Sequence, residues 1–167
     1  MESNQKKKDA GKIFEQDVRA SIPSDYFVER YKDDTAGFRG VSNPADFRIY
    51  RLPYTHLWEL KTHKGKSLPL DKIRGSQLKE MRKAAAHIGV HCGFLINYRE
   101  LEETYYIRFE DLVEEFYLFT ASGEYEVKSE GRKSIPVSWC RTIGVRIPQT
   151  KKITRYSYDL REVLEWE

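Results

Sequence analysis

Cysteine is scarce in this sequence, and long apolar runs are absent. The chain has two cysteines, Cys92 and Cys140, which lie far apart in the sequence. Two distant cysteines exclude a disulfide framework and a four-cysteine zinc site, and they favour reduced thiols in a cytoplasmic protein. No apolar run approaches the length of a membrane span, and the lysine-rich N-terminus has no apolar secretory segment. We therefore expect a cytoplasmic protein without a membrane partner.

Several common catalytic and metal-binding patterns are also missing. His87, His91 and Cys92 are close in sequence, but a zinc site needs further ligands, and Gly89 is expected to end the helix that would align them. No nucleophile-elbow signature is present, which argues against a serine hydrolase. The glycine-containing loop at residues 62–67 lacks the glycine and lysine spacing of a Walker phosphate loop.

Length and composition predict a single globular domain over residues 1–167. Hydrophobic residues make up 40% and charged residues 33% of the chain, as in ordinary globular proteins. Residues 1–9 are polar and contain three successive lysines, so we expect a flexible basic tail there. A solubilising terminus is the simpler interpretation of these lysines, and a supporting role in holding phosphates is the alternative. The net charge of +3 does not establish nucleic-acid binding by itself, although local clustering of the basic residues could.

The most informative stretch reads as two strands joined by a short turn near Pro53. Glu59 and Lys61 are two residues apart on the second strand, so their side chains lie on the same face of that strand. If the strands pair, Asp46 at the start of the first strand approaches Glu59. Two carboxylates and one amine would then meet at one point, where the oxygen atoms could bind a hard divalent cation.

A single Glu-x-Lys on a strand more commonly forms a solvated salt bridge that contributes little. The functional interpretation depends on the order of elements around it. An acidic helix precedes the Pro-Ala-Asp strand, and the Glu-Leu-Lys strand is followed by a helix that begins near a glutamine.

Two helices are expected to supply further candidates. Residues 11–21 carry an apolar stripe, and Glu15 follows the apolar Phe14, whereas Asp17 is expected to face solvent. Residues 74–88 form the clearest helix, with Gln77 in its first turn. Surface glutamines usually have no catalytic role, so Gln77 is a candidate site residue only because of its place in the order of elements.

The remaining segments complete an alternation of strands and helices. Strands are predicted at residues 26–32, 90–98, 104–109, 134–139 and 142–148. Helices are predicted at residues 110–119 and 158–166.

Basic residues cluster in two places. Lys64 and Lys66 follow the Glu-Leu-Lys strand, and Lys151 and Lys152 form a second cluster. Arg39 lies beside Phe38 in a glycine-rich loop; this pair suits contact with a nucleic acid, and loop packing is the alternative.

The ordered motifs resemble those of the PD-(D/E)XK nuclease superfamily, and within it the RecU family of Holliday-junction resolvases, especially its shorter versions from phages and related bacterial elements. The residues that carry the resemblance lie at 11–15, 30–33, 43–47, 59–62, 65–70, 77, 93–99 and 133–136. The resemblance implies an α/β fold with a restriction-endonuclease-like core, in which a central mixed β-sheet is flanked by helices. Longer RecU proteins have an extended hairpin at the active site, and here the turn near Pro53 is short.

The resemblance also implies Mg²⁺-dependent phosphodiester hydrolysis, in which Mn²⁺ can substitute. Asp46, Glu59 and the backbone carbonyl of Leu60 would hold the ion, and Lys61 would position or help to deprotonate water, or stabilise charge on the phosphate. Glu15 and Gln77 would assist, with Asp33 a weaker candidate. The implied DNA-binding residues are Lys64, Lys66, Lys72, Arg74, Arg39, Lys151 and Lys152.

The implied partner is branched DNA, specifically the four-way junction of recombination and repair, cut by a homodimer in a bacterial or phage-infected cell. Two alternatives stay open. One is a PD-(D/E)XK nuclease for other duplex DNA, and the other is a DNA-binding recombination factor that does not cleave. The intact set of Asp46, Glu59 and Lys61 argues against the second, because a binding module has no need to bury these charges.

Overall fold

The computed structural model describes residues 3–31 and 43–165, which form a mixed β-sheet with helices packed on both faces. The helices are α1 Asn4–Ser21, α2 Gly75–Ala85, α3 Phe109–Phe116, α4 Val137–Ile143 and α5 Arg161–Leu164. The strands are β1 Phe27–Arg30, β2 Phe47–Arg51, β3 Tyr54–His63, β4 Ser67–Pro69, β5 Val90–Tyr98, β6 Glu103–Arg108, β7 Tyr117–Phe119, β8 Tyr125–Val127, β9 Ser134–Pro136, β10 Val145–Ile147, β11 Gln149–Lys151 and β12 Tyr156–Tyr158. In this part of the chain, no helix combines the length and the apolar character needed to cross a membrane.

The main sheet has the strand order β1-β2-β3-β5-β6-β10. The central strands β3 and β5 are parallel, and the other neighbours in the sheet pair in the antiparallel sense. Parallel neighbours require a crossover connection, and here the connection contains β4, a short 3-10 turn at Leu70–Lys72 and α2. The predicted α/β fold with a central mixed sheet is therefore confirmed, and so is the predicted pairing of β2 with β3.

Strand β3 separates two hydrophobic cores because its side chains alternate between the faces of the sheet. Leu57 belongs to the core under α2, α3 and α4. Trp58 and Leu60 belong to the core under α1 and α5. Strand β5 follows the same rule, with Phe94 in the first core and Leu95 in the second. Both faces of these central strands are covered, as is usual for parallel strands.

The N-terminal residues differ from the sequence expectation. Residues 4–9 were expected to belong to a flexible tail, but they form the first turns of α1. The reason is a local cap: the hydroxyl of Ser3 accepts a hydrogen bond from the Lys6 N–H at 3.3 Å. The side chain of Gln5 adds a bond to the carboxylate of Asp9 at 3.1 Å, one turn later.

Asp17 was expected to face solvent and is instead buried. Its carboxylate accepts hydrogen bonds from the Arg155 side chain at 2.5 Å and from the Tyr156 N–H at 3.1 Å. These partners come from the β11–β12 hairpin, which packs against α1. The local pattern of α1 could not show this burial because the partners lie more than a hundred residues away in the sequence.

Further differences lie in the C-terminal third. The helix expected at residues 110–119 ends at Phe116, because residues 117–119 form β7 and pair with β8. The strand expected at residues 134–139 ends at Pro136, and α4 begins at Val137. Burial of Val137 and Cys140, three residues apart, fits a helix rather than a strand. The helix expected at residues 158–166 begins only at Arg161, because residues 156–158 pair with β11.

We predict that the buried sheet residue Ile49 contributes far more to stability than the exposed Ile153. Ile49 is 0% exposed and Ile153 is 96% exposed. Ile49→Ala should lower the free energy of unfolding by about 2–5 kcal/mol, and the chemically matched Ile153→Ala should change it by less than about 0.5 kcal/mol. Urea titrations of both variants measure this, and equal losses would contradict the assignment of the core.

Candidate active site

Asp46 lies at the point where the chain enters β2, directly across from Glu59 on β3. Its N–H donates to the Trp58 carbonyl at 3.0 Å, which continues the ladder one step beyond the Phe47–Trp58 pair. Its carboxylate accepts the Leu60 N–H at 2.7 Å. This second bond aims the side chain at the neighbouring strand, so the backbone of β3 fixes the position of the Asp46 carboxylate.

Glu59 and Lys61 lie side by side on β3, on the face that Leu57 shares. The Glu59 side chain is buried, and its Oε1 atom accepts a hydrogen bond from the Lys61 ammonium at 2.6 Å. The other carboxylate oxygen, Oε2, is also buried and finds no hydrogen-bond partner among the described residues. A buried carboxylate oxygen without a donor is costly, so Oε2 is suited to a ligand from outside the chain.

The surroundings of Asp46 disfavour the charged form of its carboxyl group. Burial raises the pKa of the Asp46 carboxyl well above its usual range, and the nearby Glu59 charge raises the pKa further. The Leu60 N–H and the Lys61 ammonium act in the opposite direction but do not cancel these effects. Two crowded carboxylates of this kind fit a divalent cation.

Asp46 and Glu59 can supply two ligands, and the remainder would come from other atoms. In residues 3–31 and 43–165, no three His, Cys, Asp or Glu side chains gather closely enough to hold an ion. Mg²⁺ commonly keeps several water ligands and takes only one or two carboxylates. The chemistry of the donor set therefore fits Mg²⁺, with the expected Leu60 carbonyl as a further oxygen donor.

Glu15 reaches the same region from α1. Its charge contributes to raising the pKa of Asp46, although less than burial and Glu59 do. Glu15 is itself paired with Arg30 of β1, whose side-chain nitrogens lie 2.9 and 2.8 Å from Oε2. The structure thus brings Glu15 near Asp46 but gives it a cationic partner that the sequence analysis did not assign.

Gln77 is buried in the first turn of α2, as expected from the sequence. Its backbone N–H donates to the Arg74 carbonyl at 3.0 Å, and its side-chain oxygen accepts the Arg74 N–H at a long 3.5 Å. These contacts belong to the N-terminus of the helix. A catalytic role for Gln77 therefore stays a prediction.

The far end of β3 is anchored by a chain of polar side chains across the sheet. The Thr62 hydroxyl donates to Asn97 at 3.1 Å, Asn97 donates to Thr104 at 2.9 Å, and Thr104 donates to Gln149 at 2.7 Å. Asn97 and Thr104 are buried. Satisfied buried networks are stiff, so the backbone beside Lys61 is held in place.

A groove of about 570 Å³ opens directly at Lys61. It lies at the carboxyl ends of the parallel strands β3 and β5, where ligands commonly bind in α/β sheets. Its basic lining residues are Lys7, Lys8, Lys61, Lys64, Lys72 and Arg99. Lys64 and Lys72 were predicted to bind DNA, and the lysines at residues 6–8 were considered for a supporting role in holding phosphates. Arg99 was missed as a groove residue.

The other predicted DNA-binding residues lie away from this groove or outside the described residues. Lys66 and Arg74 are exposed but do not line the groove. Lys151 lies on the β11–β12 hairpin and pairs with Glu102 at 3.1 Å, and Lys152 follows it. Arg39 and the weaker candidate Asp33 fall outside residues 3–31 and 43–165.

The arrangement of strands and helices is that of the restriction-endonuclease-like class. A solved structure of Hjc, a Holliday junction resolvase from Archaeoglobus fulgidus, is similar with a TM-score of 0.50 over 80% of this chain and 93% of that chain. The two sequences are 11% identical, so this likeness concerns the fold alone. The family model for RecU, recombination protein U, matches residues 49–158, and the chain belongs to that family.

Two relatives are also similar in sequence. The SPbeta prophage-derived uncharacterized protein YotM of Bacillus subtilis is 29% identical over 163 residues, covering 92% of this chain and 84% of YotM. The Holliday junction resolvase RecU of Geobacillus thermodenitrificans is 30% identical over 113 residues, covering 68% of this chain. That match spans 52% of the Geobacillus protein, or about half of its length.

We predict that Asp46→Asn stabilises the protein when divalent ions are removed. The amide keeps an acceptor for the Leu60 N–H and removes one of the two crowded charges, so at pH 8 with EDTA the free energy of unfolding should rise by about 1–2 kcal/mol. Mg²⁺ should raise the melting temperature of the wild type and change that of Asp46→Asn far less. Thermal unfolding with EDTA and with Mg²⁺ measures both effects. An equal Mg²⁺ shift in the two proteins would contradict the assignment of Asp46 as a ligand.

Proposed function

We propose that this chain is a metal-dependent, structure-selective endodeoxyribonuclease that cuts four-way DNA junctions by phosphodiester hydrolysis. The observation that carries the proposal is the half-buried Asp46 opposite the buried Glu59, whose partner Lys61 lines a basic groove, in a chain of the RecU family. The names of the similar resolvases from Geobacillus and Archaeoglobus support the choice of a junction as the substrate.

The two oxygens of Glu59 have different tasks in this mechanism. Oε1 is held by Lys61 at 2.6 Å, and Oε2, which has no partner among the described residues, would hold Mg²⁺ together with Asp46 and the Leu60 carbonyl. Mn²⁺ can take the same oxygen donors. When bound, the ion supplies Lewis-acid stabilisation of the charge that develops on the phosphate.

Lys61 is the cation that contacts Glu59 directly. Its ammonium is held by Glu59 on one side and faces the groove on the other, so it can hold the attacking water and stabilise charge on the phosphate. In the reaction the water oxygen bonds to phosphorus and one bridging P–O bond breaks, which gives a phosphomonoester end and a hydroxyl end. The departing oxygen takes up one proton in place of the one that the water loses. Glu15, held by Arg30, adds negative potential near Asp46.

The basic groove would bind the phosphate backbone that leads to the cleavage point. Lys64 and Lys72 supply positive charge there, and neither requires a particular base. Lys66, Arg74, Lys151 and Lys152 would contact more distant parts of a branched substrate. Such a substrate arises in the cytoplasm of a bacterium or of a phage-infected cell during recombination and repair.

We predict that Glu59→Gln abolishes cleavage, because it removes the charge of a buried ligand and weakens the hold on Lys61. The rate with Mg²⁺ should fall by at least about 100-fold. The matched control is Glu126→Gln, which removes the same charge from an exposed position on β8 and should retain activity.

Cleavage is measured on a mobile four-way junction, a plain duplex and a Y-fork of the same sequence. Paired symmetric nicks in the junction alone, absent in Glu59→Gln and present in Glu126→Gln, are the expected outcome. Equal cutting of all three substrates would show a general nuclease and contradict junction selectivity. Tight junction binding without cleavage by the wild type in Mg²⁺ or Mn²⁺ would favour a binding factor.

Resolution of a junction requires two symmetric cuts, so the active form should be a twofold dimer. Sedimentation at the protein concentration used for cleavage should give twice the chain mass of 19.7 kDa. A 19.7 kDa particle that still makes paired nicks would contradict the dimer.

A further inference from the structure

The first turns of α1 are exposed to solvent. Residues 3–9 are all exposed, and Phe14 is the first buried residue of the helix. At about 1.5 Å of rise per residue, the part before Phe14 is roughly 15 Å long. Most helical stability in proteins comes from packing of an apolar face, and this part has almost none.

The interactions that keep residues 4–10 helical are weak. Besides the backbone bonds of the helix, they are the Ser3 cap and the exposed Gln5–Asp9 bond, and exposed contacts of this kind are individually weak. Gly11 follows within the helix, and a Cβ atom there would meet nothing within 4 Å. No close packing therefore requires this glycine, and it lowers the helical preference of the segment.

Although it is weakly held, this segment reaches the active-site groove. Lys7 and Lys8 line the groove that Lys61 opens into, and Lys72 and Arg99 line it from other elements of the fold. Asp71 is the acidic residue among the groove's lining. The described part of the chain provides no ion-pair partner for Lys7, Lys8 or Lys72. Like charges concentrated in a groove attract a polyanion.

We propose that residues 4–10 form an arm that closes the groove over a DNA strand, with Lys7 and Lys8 contacting phosphates next to the one held at Lys61. The inference rests on the proposed function, because it takes DNA as the ligand. Phosphate contacts would order this segment on binding, because the free protein holds it only weakly. Since phosphates carry no base identity, the arm would strengthen binding without selecting a sequence.

The test compares two double variants of α1 that remove the same charge. Lys7→Ala with Lys8→Ala removes the groove lysines, and Lys6→Ala with Lys12→Ala removes two exposed lysines of the same helix that do not line the groove. Binding to a four-way junction is measured in EDTA, where no cleavage is expected, over a series of salt concentrations. Circular dichroism and thermal unfolding confirm that both variants fold.

Loss of the groove lysines should weaken binding by about tenfold or more near 0.1 M salt and reduce the slope of log Kd against log salt by about two. The control pair should change Kd by less than about twofold, with its slope within about 0.5 of the wild type. Equal effects of the two pairs would overturn the arm while leaving the proposed function intact. A wild type that binds no DNA and cuts none would overturn both.

Hydrogen exchange supplies a second readout that does not depend on activity. Amides of residues 4–10 should exchange fast in the free protein and slow down when junction DNA is added, whereas those after Phe14 should be protected throughout. The slowing should be lost in the Lys7 and Lys8 variant at DNA concentrations that saturate it. Slowing that persists in this saturated variant would contradict the arm.

Discussion

Two carboxylates on neighbouring strands, the buried Glu59 and the half-buried Asp46, have to lie close together, and the local structure is arranged to hold them there. Asp46 is fixed by the Leu60 N–H, and Glu59 is fixed by Lys61. The first bond depends on the register of β2 and β3, because Phe47 must pair with Trp58 for Asp46 to meet Glu59, whereas the second lies within β3. A shift of one residue would turn Glu59 and Lys61 to the opposite face. The two cores on either side of β3 prevent that shift.

Negative charge is concentrated around Asp46 and Glu59, and positive charge surrounds it on the groove side. Glu15 adds a further negative charge near Asp46, but Arg30 partly offsets it. Lys61 compensates one oxygen of Glu59 and leaves the other unpartnered within the described chain. Beyond Lys61 the surroundings become strongly basic. A phosphate group approaching along the groove would therefore meet positive charge first and the crowded carboxylates last.

Much of the central sheet could be predicted from the sequence because its signals are local. The alternation around Glu59 assigned side chains to the correct faces, and the apolar run of β5 indicated a buried central strand. The features that were missed depend on distant contacts. Asp17 is buried by Arg155, and β12 forms only because it pairs with β11. The basic groove draws lysines from segments that are adjacent only after folding.

The helical start of α1 was missed for a different reason. Its residues carry no apolar periodicity, so the usual helix signal is absent, and a single capping serine determines the outcome. For Gln77 the position was predictable from the sequence, but the contacts of its side chain were not. Its position in the first turn of α2 was predicted correctly, yet its observed contacts cap the helix. A residue's place in a motif therefore does not by itself establish its chemical role.

The short β2–β3 turn has a consequence for how such a protein can change in evolution. Leu52 at this turn is 79% exposed, and the turn lies at the end of the hairpin opposite to Asp46 and Glu59. Extra residues inserted there in equal numbers on each strand would lengthen the hairpin while preserving every existing pair. New surface could thus be added, lost and regained at this tip across lineages without altering the positions of Asp46 and Glu59, whereas an insertion in one strand alone would misalign them.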